Sequence, residues 1–204
     1  MSEPAQDDIF PLWPTWVGQL QIPGAEEPNR ALAELAARAA PPGVAGNLFE
    51  AEHSAVDWLR EAVTGAVGQW FEKMQLQPAP RWRLGGRLEA LGFGQYRELG
   101  NEPGAYLAGL YFVNTPAPPE LGHLRSDCAA SHVSLLDPRV GFNALAIDGD
   151  PNFNETRTLV PAAGTLLLWP GYLRNCSRVH LARAPWVRVA LRVELDGAPA
   201  AGKQ

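Results

Sequence analysis

The chain has 204 residues, of which 46% are hydrophobic and 19% are charged, so it can bury a full core without disulfide bonds. Its formal net charge of −5 and pI near 5.4 argue against a nucleic-acid-binding protein, which carries a basic surface. No apolar run reaches the roughly 18 residues of a transmembrane helix, and the acidic start MSEPAQDDIF lacks the features of a secretory signal. We therefore expect a cytoplasmic protein that does not bind membranes.

The N-terminal part is predicted to form a short strand and a helix. Proline and tryptophan are frequent in residues 1–24, which suits an irregular segment followed by a strand near 16–21. Pro28 predicts the start of a helix over 29–40, because proline is tolerated in a first turn. The proline-proline-glycine sequence at 41–43 predicts its end.

A second helix is predicted to begin at Ser54. Asp57 follows three residues later, which resembles a capping box. Apolar side chains then recur at steps of three and four residues as far as Met74, which is the spacing of one buried helix face. The proline-rich residues 77–81 end this helix, so residues 1–80 form the N-terminal part of the domain.

From residue 81 the pattern changes to short β-rich runs separated by glycine and proline. Strands are predicted over residues 82–93, 105–113, 131–136, 140–147, 156–160, 164–169, 175–181 and 186–195. They predict one mainly β domain whose core, residues 81–195, is a double-stranded β-helix or jelly roll, with the two helices packed on one sheet. Residues 115–130 suit a lid loop or a partner-binding insertion, and residues 197–204 suit a flexible tail.

Two segments carry the candidate site, and the first is residues 94–114, GQYRELGNEPGAYLAGLYFVN. It resembles half of the iron site in a bacterial branch of the 2-oxoglutarate/Fe(II) oxygenase superfamily, roughly G-D-Y-N-x-x-H-x-H-P followed by S-G-V-Y-Y-V. The two histidines of that motif fall on Gly100 and Glu102, and its asparagine falls on Arg97. The matching residues are Gly94, Tyr96 and Pro103.

The second segment, residues 164–194, resembles the other half of that site, approximately G-x-L-x-x-F-P-s-W-L-x-H-x-V followed by R-x-S-I-S-F-N. Asn175 stands where the distal histidine of the family belongs, and Arg188 keeps the arginine of the closing strand. The serine positions that follow this arginine are occupied by Ala190 and Arg192, which departs from the pattern that grips 2-oxoglutarate.

These substitutions bear on metal binding, because a mononuclear non-haem iron site needs two imidazoles and a carboxylate. Of Gly100, Glu102 and Asn175, only Glu102 offers a usual ligand. The resemblance therefore implies an oxygenase-like pseudoenzyme with a degenerate metal site and no cofactor. The alternative is an active 2-oxoglutarate-dependent oxygenase whose unorthodox Fe(II) site uses Glu102.

Charged residues replace the neutral lining of such an oxygenase, and an unpaired buried charge is costly. These side chains therefore pair with one another, bind an anionic small molecule or face solvent, and all three alternatives are open. Alternation along the last strand predicts that Arg188 and Arg192 point the same way, inward. Tyr96 and Tyr111 are expected to line the same cavity or to serve as core aromatics. The charged residues are Arg87, Glu89, Arg97, Glu102, Arg188 and Arg192, and the candidate ligand-binding residues are Tyr96, Arg97, Glu102, Tyr111, Asn175, Arg188 and Arg192.

Histidine and cysteine offer one further metal site. His123, Cys128 and His132 lie within ten residues and could hold zinc or copper if the loop folds back, although ordinary hydrogen-bonded loop and strand side chains are the favoured explanation. Cys176 follows Asn175 on one strand and is expected to face away from the pocket. Both cysteines are expected to be free thiols in a cytosolic chain.

Three roles are compatible with this pattern. They are a metal-independent enzyme of specialised metabolism, a binding protein for an anionic metabolite, and an inactive subunit that supports a partner enzyme. A homodimer is also compatible, because jelly-roll sheets leave edges to cover.

Overall fold

A computed structural model of the chain describes residues 15–38, 46–76, 78–117, 132–139 and 156–197. These ranges contain two α-helices, a short 3-10 helix and nine β-strands. The helical elements are α1 (Glu26–Arg38), the 3-10 helix (Leu48–Glu50) and α2 (Ser54–Lys73). The strands are β1 (Gly18–Gln21), β2 (Trp82–Leu91), β3 (Arg97–Gly100), β4 (Leu107–Phe112), β5 (Val133–Leu136), β6 (Thr156–Leu159), β7 (Thr165–Pro170), β8 (Asn175–Ser177) and β9 (Trp186–Leu195).

Helix α1 begins at Glu26, earlier than position 29. Glu26 and Glu27 lie in its first turn, where the helix dipole favours negative charge. Pro28 lies in the same turn, where its missing N–H group is not needed. Leu32 and Ala36 bury the inner face of the helix, so the helix packs as an amphipathic element on the rest of the domain.

Helix α2 begins at Ser54 as predicted, but the predicted capping box is wrong. The Nδ1 atom of His53 accepts a hydrogen bond from the Ala55 amide at 3.1 Å, so His53 caps the helix. The predicted apolar face is buried, since Val56, Leu59 and other apolar residues of this face are fully enclosed. Neither of the two helices that the structure describes is long and apolar enough to cross a membrane.

The strands form two antiparallel sheets that face each other. The five-stranded sheet has the order β1-β7-β4-β9-β2, and the four-stranded sheet has the order β3-β8-β5-β6. Apart from β5 and β6, which pair with each other, strands that follow each other along the chain lie in different sheets or are separated within one sheet, as in a jelly roll. The mainly β architecture predicted from the sequence is therefore present.

Alternation along β9 separates two apolar cores. Val187 and Val189 face the helices and join the outer core, whereas Trp186 and its neighbours on the opposite face join the inner core between the sheets. Arg188 shares the inner face with Trp186 because the two residues are two positions apart. The inner core also contains Leu110, Phe112, Val133, Leu135, Leu167 and Trp169.

Most predicted strands are present, and one strand was not predicted. Strand β3 (Arg97–Gly100) is short, charged and without apolar alternation, so its pairing with β8 decides its conformation rather than its own propensity. The strand predicted over 140–147, most of the predicted lid loop 115–130 and all but the first residue of the tail 197–204 lie outside the described residues. The single-domain boundaries remain a prediction.

Candidate ligand-binding site

Strands β3 and β8 bring two of the three predicted metal-ligand positions together. Gly100 lies opposite Asn175 in the antiparallel register, and Asn175 is 4% exposed. The Nδ2 atom of Asn175 donates to the Gly100 carbonyl at 3.3 Å and to the Leu173 carbonyl at 3.4 Å. Backbone oxygens therefore hold this amide beside a position that has no side chain.

Glu102, the third position, lies in a turn after β3. Its amide donates to the Gly171 carbonyl at 3.0 Å, and its carbonyl accepts from the Ala105 amide at 3.1 Å. A Cβ atom on Gly171 would lie only 2.1 Å from the Ala105 oxygen, so the close approach of this turn requires glycine. The Nη2 atom of Arg97 donates to Oε1 of Glu102 at 2.5 Å. The carboxylate is thus engaged in an internal ion pair.

These residues do not fit a mononuclear iron centre, which takes two imidazoles and one carboxylate on one face. Gly100 has no ligand atom in its side chain, Asn175 offers an amide, and the Glu102 carboxylate is bound to an arginine. Among the described residues, no group of three histidine, cysteine, aspartate or glutamate side chains could hold a metal ion. The three positions as arranged lack the donors for such a centre.

Five of the six charged residues predicted for the lining form one ion network. Glu89 on β2 lies opposite Arg188 on β9, and Nε of Arg188 donates to Oε2 of Glu89 at 3.0 Å. The Oε1 atom of Glu89 accepts from Arg87 at 2.6 Å and from Arg97 at 3.1 Å. Arg97 continues to Glu102, so the network connects β2 and β9 of one sheet with β3 of the other.

Glu89 is ionised at the centre of this network. Burial raises the pKa of Glu89, but the charges of Arg188, Arg87 and Arg97 outweigh burial and hold that pKa below its ordinary value of 4.5. The network contains three arginines and two carboxylates, so it carries one excess positive charge. The Arg87 side chain is 58% exposed, whereas that of Arg188 is fully enclosed.

Arg188 leaves the end of its guanidinium free. The guanidinium carbon lies 4.9 Å from the centroid of the Trp186 ring, and Nε is the nitrogen that bonds to Glu89. The Nη1 and Nη2 atoms are buried without a hydrogen-bond partner in the part of the chain that the structure describes. This pair of nitrogens is an edge with which arginine binds a carboxylate through two parallel hydrogen bonds.

Two tryptophans add further unpaired donors to the inner core. The Nε1 atoms of Trp169 and Trp186 are buried, and no described residue accepts a hydrogen bond from them. Indole and guanidinium nitrogens donate hydrogen bonds and do not accept them. Buried polar groups are normally paired, so these donors and those of Arg188 lack the acceptors, among the described residues, that such groups usually have.

Arg192 does not join the buried network, contrary to the expectation of two equivalent inward arginines. It shares the inner face with Arg188, but its stem lies over Gly85, where a Cβ atom would be 2.9 Å from Cγ of Arg192. Its side chain is 56% exposed and forms an ion pair with Glu194. Strand alternation therefore predicted correctly on which face of the sheet Arg192 lies. The exposure of its side chain follows instead from its position near the uncovered end of β9.

The two tyrosines lie in different environments. Tyr111 faces the helices, on the opposite side of the sheet from Arg188, and its hydroxyl donates to Oδ1 of Asn29 at 2.6 Å. Of the two alternatives expected for Tyr111, the core aromatic is the one observed, and its ring does not line the inner cavity because β4 turns the alternate residues Leu110 and Phe112 inward. Tyr96 is 54% exposed near the start of β3.

Two cavities flank Glu102. The larger is an open groove of about 700 Å³ that also exposes Arg87 and Arg192. It gives solvent access to the edge of the ion network, since Arg87 bonds to Glu89. The smaller has a volume of about 460 Å³, and its lining includes the aromatic residues Trp16, Trp70, Tyr106 and Tyr172.

The relocated metal site predicted from histidine and cysteine remains a prediction, because His123 and Cys128 lie outside the described residues. His132 is buried, and burial together with the charge of Arg178 lowers its pKa.

Cys176 is a free thiol that lies opposite Ser134 in the β5–β8 pairing. It is adjacent to the inward Asn175 and therefore faces away from the inner core, as predicted.

Comparison with known proteins supports the fold. No protein-family model matches the sequence, and no curated protein matches it significantly. A prolyl-4-hydroxylase from Pseudomonas putida is 12% identical, with a TM-score of 0.60 over 90% of this chain and 89% of that chain. An oxidoreductase of the 2OG-Fe(II) oxygenase family from Burkholderia pseudomallei is 10% identical, with a TM-score of 0.56 over 91% of this chain and 86% of that chain. HygX from Streptomyces hygroscopicus, with nickel and 2-oxoglutarate bound, is 14% identical, with a TM-score of 0.60 over 90% of this chain and 83% of that chain.

At these identities the likeness concerns the fold. The arrangement of the strands in two facing antiparallel sheets and the matches to solved structures point to the same fold. The chain has the double-stranded β-helix fold of the 2-oxoglutarate/Fe(II) oxygenases, and the fold-class prediction is confirmed.

Proposed function

We propose that this protein uses an oxygenase fold to bind an anionic small molecule between its sheets, without iron at the three degenerate positions. The observation that carries this proposal is the free end of Arg188, a fully buried guanidinium whose Nη1 and Nη2 lack partners among the described residues. A carboxylate or phosphate group on the ligand accepts hydrogen bonds from Nη1 and Nη2 of Arg188 and adds a negative charge beside them.

Electrostatics favours this role over a purely structural pocket. Glu89 binds Arg188 through one side nitrogen and shares its charge with Arg87 and Arg97. The network carries one excess positive charge, and its buried member Arg188 keeps two donor nitrogens without acceptors among the described residues, which is costly away from water. A bound anion completes the network, and the indole N–H group of Trp186 provides a further donor beside it.

Thermal unfolding in the presence of different anions tests the proposal. Acetate, succinate, 2-oxoglutarate and phosphate are compared at constant ionic strength. A ligand at about 100 times its Kd stabilises the protein by roughly 3 kcal/mol, which raises the Tm by several degrees. We expect at least one anion to produce such a shift.

The variant that tests the site is Arg188→Lys, because lysine keeps a positive charge for Glu89 but cannot form the two parallel bonds. We expect it to fold and to lose the anion-dependent shift. Arg192→Lys is the matched control, since Arg192 is exposed and paired with Glu194, and it should keep the shift. The proposal is wrong if no anion stabilises the wild type or if the two variants respond alike.

An active oxygenase with an unorthodox iron site is the second candidate. HygX has also been solved with iron bound, and Glu102 keeps one carboxylate at a ligand position. Metal analysis after anaerobic purification with ferrous iron decides between the candidates. Stoichiometric iron, with 2-oxoglutarate turnover that disappears in Glu102→Ala, would establish the second candidate.

A further inference from the structure

We propose that the guanidinium of Arg97 is a resident cation that takes the place of the metal ion and keeps divalent cations out. Arg97 lies on β3, three residues before Gly100, and its family counterpart is a neutral asparagine. Its Nη2 donates to Glu102 at 2.5 Å and its Nη1 donates to Glu89 at 3.1 Å. A single side chain thereby bridges the carboxylate at the ligand position and the carboxylate at the centre of the network.

This arrangement opposes metal binding in two ways. A divalent cation at Glu102 would first have to displace Arg97 from the carboxylate. It would then lie beside a permanently charged guanidinium, and like charges in a partly buried site repel each other strongly. Arg97 is itself held in place, since its backbone amide donates to Oγ of the buried Ser177 at 2.8 Å and its side chain is only 25% exposed. It therefore has little freedom to move away.

Gly100 offers space for one of the missing imidazoles. A Cβ atom built on Gly100 meets no atom within 4 Å, so a larger side chain can enter there. Asn175 lies opposite Gly100, is buried, and forms two long hydrogen bonds of 3.3 and 3.4 Å. Histidine at both positions, together with Glu102, would supply the two imidazoles and the carboxylate that such a centre takes.

The inference rests on the proposed absence of resident iron but not on anion binding by Arg188. Cobalt binding, followed by the visible absorption of Co²⁺ and by competition with Zn²⁺, is the test. Five proteins are compared: the wild type, Gly100→His/Asn175→His, and that double variant with Arg97→Asn, Arg97→Lys or Arg87→Asn added. Each is first checked for a cooperative thermal transition.

We expect no stoichiometric cobalt in the wild type and the tightest site in the triple variant with Arg97→Asn. Removal of Arg97 should raise cobalt affinity over the double variant by about tenfold or more, the size of effects caused by residues next to metal ligands. Arg97→Lys retains the positive charge and should not raise the cobalt affinity. Arg87→Asn is the matched control, because Arg87 contacts Glu89 and is exposed, and it should also leave affinity unchanged.

Three results would overturn the inference. They are stoichiometric cobalt in the wild type, equal affinity of the double variant and the Arg97→Asn triple variant, and no cobalt binding by a folded Arg97→Asn triple variant. The same proteins retain Arg188, so the anion-dependent thermal shift is measured in parallel. Arg97→Asn removes the excess positive charge of the network, so the shift is compared only in proteins that keep Arg97. Absence of the shift in the wild type with the cobalt series as expected would refute the anion site alone, and the reverse pattern would refute the resident cation alone.

Discussion

Arg188 and Glu89 lie directly opposite each other on β9 and β2, and Nε of Arg188 donates to Oε2 of Glu89 at 3.0 Å. This relationship fixes the orientation of a guanidinium that is otherwise enclosed by apolar side chains. It uses one side of the group and leaves the end with Nη1 and Nη2 unpaired among the described residues. Glu89 therefore neutralises part of the charge of Arg188 and fixes the direction in which Nη1 and Nη2 of Arg188 point.

Glu89→Gln should destabilise the protein strongly. The substitution keeps the shape of the side chain but leaves Arg188 as a buried charge without a counter-ion, which costs about 3–5 kcal/mol. Glu102→Gln is the control: the Glu102 side chain is 30% exposed, and loss of such a pair costs about 1 kcal/mol or less. Urea denaturation measures both. Equal losses would show that Arg188 does not depend on Glu89.

Stability should fall in acid because of Glu89. Its pKa is below the ordinary value of 4.5 in the folded protein, so its stabilising contribution is complete above that value and is lost as the pH falls through the folded pKa. Hydrogen bonds from Arg139 also lower the pKa of Asp137, so the wild type alone does not isolate Glu89. The difference in free energy of unfolding between wild type and Glu89→Gln isolates the contribution of Glu89. It should be constant above about pH 5 and shrink below it; a constant difference down to about pH 3 would contradict this assignment.

Alternation and breaker residues were sufficient to predict most of the fold. The apolar step pattern of α2 and the strands from 82 onward follow from local periodicity. Two features could not be predicted in this way. Strand β3 contains almost no apolar signal, and His53 caps α2 through a ring nitrogen, whereas Ser54 has the residue type usually found at a cap.

The sequence predicted which positions form the candidate site better than it predicted the contacts of their side chains. The motif frame placed Gly100 and Asn175 as neighbours, and they lie opposite each other. Trp186 beneath Arg188 was missed, although its position two residues earlier on the same strand is a usable signal. The different environments of Arg188 and Arg192 depend on which end of the strand the second sheet covers, and strand alternation contains no information about that.

Tyr111→Phe should reduce stability without changing ligand binding. The hydroxyl of Tyr111 donates to Asn29 in the outer core, and its removal leaves a buried acceptor unpaired, which costs about 1–3 kcal/mol. Because Tyr111 faces away from Arg188, the anion-dependent thermal shift should remain. Tyr96→Phe is the control, since its ring is exposed, and it should change stability by less than about 0.5 kcal/mol. Loss of the anion response in Tyr111→Phe would place this tyrosine in the site after all.

Gly171→Ala should disturb the turn that carries Glu102. The added Cβ atom would lie 2.1 Å from the carbonyl oxygen of Ala105 and 3.0 Å from that of Glu102, and a backbone atom cannot rotate away as a side chain can. The turn must shift, which weakens the Glu102–Arg97 ion pair and costs about 1–3 kcal/mol or more.

Gly100→Ala is the matched glycine control for that change. Its Cβ atom meets nothing within 4 Å, so we expect a neutral or slightly stabilising effect of less than about 1 kcal/mol. Urea denaturation of both variants provides the measurement. A stable Gly171→Ala protein would show that the turn can relax, and the position of Glu102 would then not depend on this close backbone approach. A marked loss in Gly100→Ala would instead show that the space beside Asn175, on which the histidine substitutions depend, is not open.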